Sequence, residues 1–553
     1  MTGHDGAGRE GAGRRAAVVG GGISGLATAA LLARDGWTVD LLEQRDELGG
    51  RAGSWAADGF RFDTGPSWYL MPEVFDHFFA MLGTSAAEQL DLERLDPGYR
   101  VFFEGGRTGA TDPVDVRADR AANIALFESL EPGAGARLDS YLDGAREAYD
   151  LAVRHFLYTS FESPTALAHR EVLTRAPRLL GLLTRSLESH VASRFADPRL
   201  RQVLGYPAVF LGSSPDRTPS MYHLMSWMDL ADGVLYPQGG FSRLVEAITD
   251  LAIGAGVKVR TGATVTAIEH APLVGARRRG PRAQARGVRY VDRDGQQHVV
   301  EADVVVAAAD LHHVETQLLP SDLQTYPQRW WDGRDAGPGA VLAYLGVRGR
   351  VPELAHHSLF FTRDWEQNFG DVFGRDGRPA RVPQPASAYV CRPSATDPTV
   401  APDGDENLFV LVPVPADVAI GRGGVDGAGD PMVEKAADAA IAQVAEWAGV
   451  PDLAERVVVR RTVGPGDFAA DLNAWSGGAL GPGHVLRQSA FLRAGNVSRR
   501  VAGLYYAGSS TIPGIGLPMC LISAELVLKR LRGDRTTGPL PEPARPGRTG
   551  RTG

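Results

Sequence analysis

Gly20, Gly22 and Gly25 stand in the stretch RAAVVGGGISGLATAALLARDGWTVDLLEQRDELGGR with the spacing G-x-G-x-x-G. Glycines at that spacing hold a pyrophosphate. The first permits a tight turn, the second lets phosphate approach the backbone, and the third lets a helix lie close on a strand. The unpaired N–H groups at the helix start then face the anion. Glu43 closes the next apolar run, where a carboxylate reaches ribose hydroxyls. Gly49, Gly50 and Arg51 follow at once, and a nicotinamide cofactor has no use for a second glycine turn at that place. Elsewhere, Asp229 and Asp232 are candidate proton acceptors ahead of the YPQGG turn. The histidines and cysteines show no zinc spacing, and no G-x-S-x-G nucleophile turn is present. His356 and His357 are neighbours, but on a strand adjacent side chains face opposite sides, which makes a poor metal pair.

The elements that must position these residues read as strand, turn, helix, strand. Residues 16–19 form a short buried strand, a helix begins near Ser24 with Leu26, Ala29, Ala30 and Ala33 on its packed side, and residues 38–42 form the second strand. Similar signals recur far downstream. YPQGGFSRLVEAITDLAIGAGVKVRTGATVTAIEH carries an amphipathic helix (Leu244, Ile248, Leu251) and two strands. A hairpin turns at Asp294-Gly295, residues 304–309 are a buried run, and GLYYAGSSTIPGIGLPMCLISAELVLKRL ends the pattern. The fold class is therefore α/β, with a Rossmann-like dinucleotide-binding domain assembled from three pieces, 14–85, 236–325 and 460–533. Segments 86–235 and 326–459 form a second, α+β domain.

Composition sets the outer limits. The chain has 553 residues, 44% hydrophobic and 22% charged, and a net charge of −8, which suits a multidomain globular protein and gives no electrostatic case for nucleic acid. Two cysteines, Cys391 and Cys520, point to a reducing, cytoplasmic compartment. No apolar run reaches spanning length. Residues 1–13 and 534–553 read as disordered tails, and the basic insert from Ala276 to Arg286 as a solvated loop.

DTGPSWYLMPEVFDHFF, YPQGGFSRL, LAHHSLFF and LYYAGSSTIPGIGLPM together resemble bacterial- and fungal-type phytoene desaturases, FAD-dependent carotenoid dehydrogenases of the amine-oxidase-like superfamily. The resemblance runs from Arg15 to Leu531. It implies FAD, a two-dinucleotide-domain flavoprotein fold, and removal of a hydride (to flavin N5) and a proton from adjacent carbons of a polyene hydrocarbon. It further implies dioxygen or a quinone as electron acceptor and a peripheral place on the cell membrane. Flavin contacts then extend from the opening motif to Gly65, Pro66, Ser67, Val265, Gly508, Gly514, Gly516, Leu517 and Pro518. The PGIGLPM turn is expected to lie against the ring, with a helix starting near Met519 aiming its positive end at it. Trp68, Tyr69, Met71, Met225, Trp227, Met228, Phe360 and Phe361 are the candidate lining of a dry substrate channel.

Competing readings are a carotenoid isomerase, an amine oxidase with a flavin-facing lysine (the lysines are Lys258, Lys435 and Lys529), and a flavin-binding escort without turnover. A membrane anchor is expected in His169–Arg201. Leu179, Leu180, Leu182, Leu183 and Leu187 give it an apolar side, and Arg170, Arg175, Arg178, Arg185, Arg194, Arg199 and Arg201 outnumber Glu171, Glu188 and Asp197.

Overall fold

A computed structural model describes residues 13–105, 112–162, 169–273, 275, 280–375 and 377–543. The short apolar runs of the opening motif become the centre of a five-stranded sheet, ordered Leu504–Tyr506, Val304–Ala307, Arg15–Val19, Thr38–Leu42, Lys258–Arg260. Every pairing in it is parallel, so both faces must be covered. The helices Ile23–Arg34, Ser242–Gly254 and Leu517–Arg532 cover one face. The meander Thr264–Pro272, Ala283–Val291, Gln297–Glu301 covers the other. The chain runs outward from Arg15–Val19 in one direction and later in the opposite one, so a crevice opens at the carboxyl end of that strand.

The remaining segments build a seven-stranded sheet. Its order is Val457–Val463, Gly339–Val347, Glu406–Val414, Ala388–Cys391, His357–Phe361, Tyr99–Phe103, Val114–Val116. The helix Pro431–Ala448 packs on one face, and helices between 120 and 210 pack on the other. Two boundaries differ from expectation. Strand Val457–Val463 pairs with Gly339–Val347 and belongs with this sheet, and the hairpin Ser54–Ala57/Phe60–Asp63 packs on it through Phe60 and Phe62. Hydrophobic runs on these edges fit either sheet, and only the pairing decides.

The expected loose tail from 534 onward is corrected over 534–543. Leu540 is buried and its N–H donates to Glu525 Oε1 at 2.6 Å. Buried Lys529 donates to the carbonyls of Tyr158 (2.9 Å), Thr536 (2.7 Å) and Gly538 (2.6 Å). A polar, Gly- and Thr-rich stretch thus orders because an ammonium collects its carbonyls. Residues 1–12 and 544–553, and 276–279 of the basic insert, lie outside the described residues, whereas Ala283 to Arg286 open a strand. Replacing Lys529 by Met strands these carbonyls without a donor. Lys529→Met should lower unfolding free energy by about 2–4 kcal/mol in thermal or denaturant melts, and should expose residues 534–543 to limited proteolysis.

Candidate functional site

The opening glycines meet the geometry they were read for. A Cβ on Gly25 would sit 1.9 Å from the Gly20 carbonyl oxygen, so only hydrogen fits where the helix Ile23–Arg34 meets the strand. Glu43 is buried, and its Oε2 accepts the Gly21 N–H at 2.7 Å while Oε1 accepts the Arg45 N–H at 2.9 Å. The carboxylate is thereby fixed beside the turn with lone pairs remaining. Gly22 bridges to Gly49, and the Gly49 N–H donates to the Gly21 carbonyl at 2.9 Å. Gly50 begins the short helical turn that carries Arg51, whose Nε donates to the Ala479 carbonyl at 2.8 Å. Gly65 backs onto the Arg51 carbonyl, and Pro66 and Ser67 continue from there.

The distant STIPGIGLPM turn arrives at the same end of the opening helix. Ser24 Oγ donates to the Cys520 carbonyl at 3.3 Å, and the Gly508 N–H donates to Ser523 Oγ at 3.0 Å. A cis peptide joins Ile512 to Pro513. A Cβ on Gly514 would lie 2.2 Å from His484 Cε1, so glycine there is what admits the imidazole. His484 Nε2 accepts the Ile515 N–H at 3.1 Å, and its Nδ1 lies 2.7 Å from the Tyr222 hydroxyl. Burial drives His484 well below the usual histidine range, which keeps it neutral. The closing helix starts at Leu517 with Pro518 in its first turn, slightly earlier than expected.

Neither helix start carries a side-chain cap or an acidic residue in its first turn. Their N–H groups are free for phosphate at the first helix and for a developing negative charge at the second. With Glu43 fixed nearby, the residues present fit FAD.

Beside Ser67 stands an aromatic box. Trp68 lies 5.3 Å from Tyr99, 5.4 Å from Phe210 and 6.2 Å from Tyr206 between ring centroids, and stacks on His357 at 4.6 Å and 13°. Asp229 is buried here on a single π-helical turn, Met228–Asp232, a distortion that often marks functional sites. Its Oδ2 accepts the hydroxyls of Tyr206 (2.7 Å) and Tyr99 (3.2 Å), and its Oδ1 has no partner among the described residues. Desolvation raises its pKa to about 7, with the tyrosine hydrogen bonds opposing. Asp232, the other candidate, is exposed beside Arg94.

Several residues fall elsewhere than their sequence reading placed them. Phe360 and Phe361 point to opposite faces. Phe361 joins the box side near Tyr206 (6.1 Å), while Phe360 stacks on Phe102 at 4.7 Å under the Pro431–Ala448 helix. Tyr69 and Met71 are core residues, Tyr69 stacking on Phe75 at 4.1 Å. Met225, Trp227 and Met228 pack on that same core, with Arg146 4.9 Å above Trp227. Val265 lies beneath the parallel sheet with Ala17, Val19 and Leu42, close to Glu43 only through the Ala263 N–H on the Glu43 carbonyl. His356 and His357 do not diverge. The strand begins at His357, His356 sits in a bend, and their rings are 4.5 Å apart.

The expected anchor His169–Arg201 is also broken up, into helices Arg170–Thr174, Ala176–Thr184, Leu187–Ala192 and Pro198–Gly205. Leu182 and Leu187 are buried, while Leu180 is 62% exposed. Sequence reading missed His484, Tyr206 and Tyr99, which carry no motif, and the exposed apolar loop of Leu486, Phe491 and Leu492.

The sequence pattern of the flavin containing amine oxidoreductases matches residues 23–527. The chain is 42% identical to a carotenoid 3,4-desaturase of Haloarcula japonica, over 94% of this chain and 98% of that protein. It is 35% identical to a zeta-carotene-forming phytoene desaturase of Myxococcus xanthus, over 94% of each. Among solved structures, a putrescine oxidase superposes with a TM-score of 0.57 at 15% identity, covering 94% of this chain and 99% of that one. An oxidoreductase from Methanosarcina mazei gives 0.56 at 14% identity, covering 93% and 100%.

Glu43→Ala removes the carboxylate and leaves the Gly21 N–H unpaired. FAD affinity, read by fluorescence titration of deflavinated protein, should fall by about 1.5–3 kcal/mol for each charge-assisted hydrogen bond lost. Acid precipitation of wild type should release the flavin, since burial pushes the Cys520 thiol up to about 11 and leaves it a poor nucleophile.

Proposed function

We propose that this chain, which belongs to the family of flavin containing amine oxidoreductases, is a carotenoid desaturase acting on a long phytoene-like polyene. It is an FAD-dependent oxidoreductase related to bacterial and fungal phytoene desaturases. The observation that carries the substrate reading is the aromatic box at Trp68, a buried cluster of rings around one carboxyl whose Oδ1 has no partner among the described residues. A hydrocarbon offers no hydrogen bonds, so its site needs apolar and aromatic walls and few polar groups. When bound, FAD accepts a hydride, the cofactor's own chemistry. The protein's share is to place an allylic carbon, keep water out, and remove a proton from the neighbouring carbon.

Asp229 is the proton acceptor in this reading. Tyr99 and Tyr206 hold its Oδ2, and Oδ1 has no partner among the described residues. Ring faces of Trp68, Tyr206 and Phe210 stabilise the delocalised positive charge on the substrate. The seven-stranded sheet and its helices form the substrate domain on a two-dinucleotide-type flavin domain. Dioxygen or a quinone reoxidises the flavin, and no nicotinamide cofactor is needed. Against an amine oxidase, Lys258 and Lys435 are exposed and Lys529 is committed to the carbonyls of Tyr158, Thr536 and Gly538. A second reading, favoured by the Haloarcula japonica relative, places the new double bond at the 3,4-position of an already conjugated carotenoid.

Expression in cells accumulating phytoene, and separately in cells accumulating a conjugated carotenoid, distinguishes the two by absorption of extracted lipids. Colour gained in neither sinks both. In the active background, Asp229→Asn should lower turnover on the order of 10²–10⁴-fold. Only ionised Asp229 can take a proton, and its pKa is raised to about 7. Wild-type activity should therefore rise as pH passes upward through about 7, and the variant's residual activity should lose that limb.

The membrane reading takes its anchor from exposed leucines. No helix among the described residues is long and apolar enough to cross a bilayer, and a bilayer-dissolved substrate calls for a surface contact. Leu173 and Leu180 are 58% and 62% exposed on the helices that carry Arg170 and Arg178. Wild type should float with anionic liposomes, and Leu173→Asp with Leu180→Asp should stay in solution with FAD retained. A variant that floats as well as wild type removes this surface as the anchor.

A further inference from the structure

Behind Trp68, away from the carboxyl of Asp229, lies a cluster that the flavin chemistry leaves unused. His357 and Cys391 are cross-strand partners in the antiparallel pairing of His357–Phe361 with Ala388–Cys391. The bend at His356 swings a second imidazole toward them, so a ligand atom from each of His356, His357 and Cys391 lies within 4.8 Å of the others. All three side chains are buried, at 4%, 0% and 1% exposure. The Nδ1 of His357 lies 2.7 Å from the Tyr389 hydroxyl and that of His356 lies 2.8 Å from Thr396 Oγ1. Both Nε2 atoms have no partner among the described residues.

Two buried imidazole nitrogens without partners, on adjacent residues beside a buried thiol, are costly. The hydroxyl neighbours explain which nitrogen stays free. A metal-bound imidazole directs its second nitrogen to an oxygen, which fixes ring orientation and tautomer. With each Nδ1–H donated to its hydroxyl neighbour, each Nε2 presents a lone pair. The thiol of Cys391 sits next to a cavity of about 10 Å³ between Ser67 and Tyr236, space for one water.

We propose that His356, His357 and Cys391 bind a zinc ion, with water from this cavity as the fourth ligand. Two neutral imidazoles and one thiolate are a borderline-soft, tetrahedral donor set of the kind zinc takes. Binding exchanges the thiol proton for the metal: the Cys391 S–H bond breaks, the S–Zn bond forms, the proton leaves to solvent, and no electron moves. Ligand atoms within 4.8 Å of one another draw together on metal binding to reach tetrahedral bond lengths of about 2.0–2.3 Å. The ion ties the 356 bend to strand Ala388–Cys391 directly beneath the ring of Trp68. Its role is positional and independent of the substrate assignment.

Metal analysis of the FAD-loaded protein, purified without chelators from zinc-supplemented cells, tests this. About one zinc per chain is expected. Cobalt exchanged into the site should give sulfur-to-cobalt charge transfer and d–d bands to the red of the flavin. Cys391→Ser and His356→Gln should each lose the metal while retaining FAD, and Tyr389→Phe, which leaves all three ligands, should weaken affinity by about 10–100-fold. Zinc far below one equivalent together with no cobalt bands overturns the proposal. So does zinc retained equally by Cys391→Ser and His356→Gln. If either ligand variant fails to fold, Tyr389→Phe decides: unchanged affinity counts against the site.

Discussion

The structure depends on one contact in which a side chain is missing. The opening helix can meet its strand only because Gly25 puts a hydrogen against the Gly20 carbonyl. That approach seats the uncapped helix start at the edge of the parallel sheet. The helix is buried along nearly its whole length, because Ser242–Gly254 and Leu517–Arg532 pack on it. Move it outward by the width of a methyl group and three strand ends, the Glu43 clasp on Gly21 and the Ser24–Cys520 contact all lose register together. Close packing transmits such a displacement and does not absorb it.

The second organising constraint is the neutrality of the interior around Trp68. Trp68 packs against both cores, and desolvation disfavours the charged form of the titratable groups near it. Asp229 is raised, while His356 and His357 are lowered. An isolated ion in such a place would cost several kcal/mol, so the fold uses hydroxyls of Tyr99, Tyr206 and Tyr389 to satisfy what is polar. The same low dielectric makes any charge that develops there during reaction respond strongly to its few polar neighbours.

Local chemistry was legible in the sequence, and long-range pairing was not. The strand–turn–helix–strand–Glu43 run, the hairpin at Asp294-Gly295 and the strand at Tyr505–Tyr506 are each specified by residues close together, and each is where its signal put it. The resemblance puts both Phe360 and Phe361 in the channel lining, yet strand alternation sends them to opposite faces. The same rule misled in reverse at His356, where a bend replaces the strand. His484 has no motif; its role follows from the absent Cβ of Gly514, more than two dozen residues downstream. The anchor segment reads as one amphipathic helix but breaks before Pro177 and Pro198, where proline takes the first turn of a new helix.

The order of strands in the parallel sheet also fixes when this molecule can be finished. Leu504–Tyr506 is an edge strand, and Leu517–Arg532 is the last helix to lie on the opening one. A ribosome exposes the phosphate-binding turn first and delivers the last of its partners only after some five hundred residues have emerged. The seven-stranded sheet, complete at Val463, can close while the flavin domain still lacks its edge and its lid. Cofactor capture therefore waits for the closing helix, and a product terminated before it keeps an apolar helix face uncovered. That interval is when a chain of this topology is open to aggregation and to chaperones.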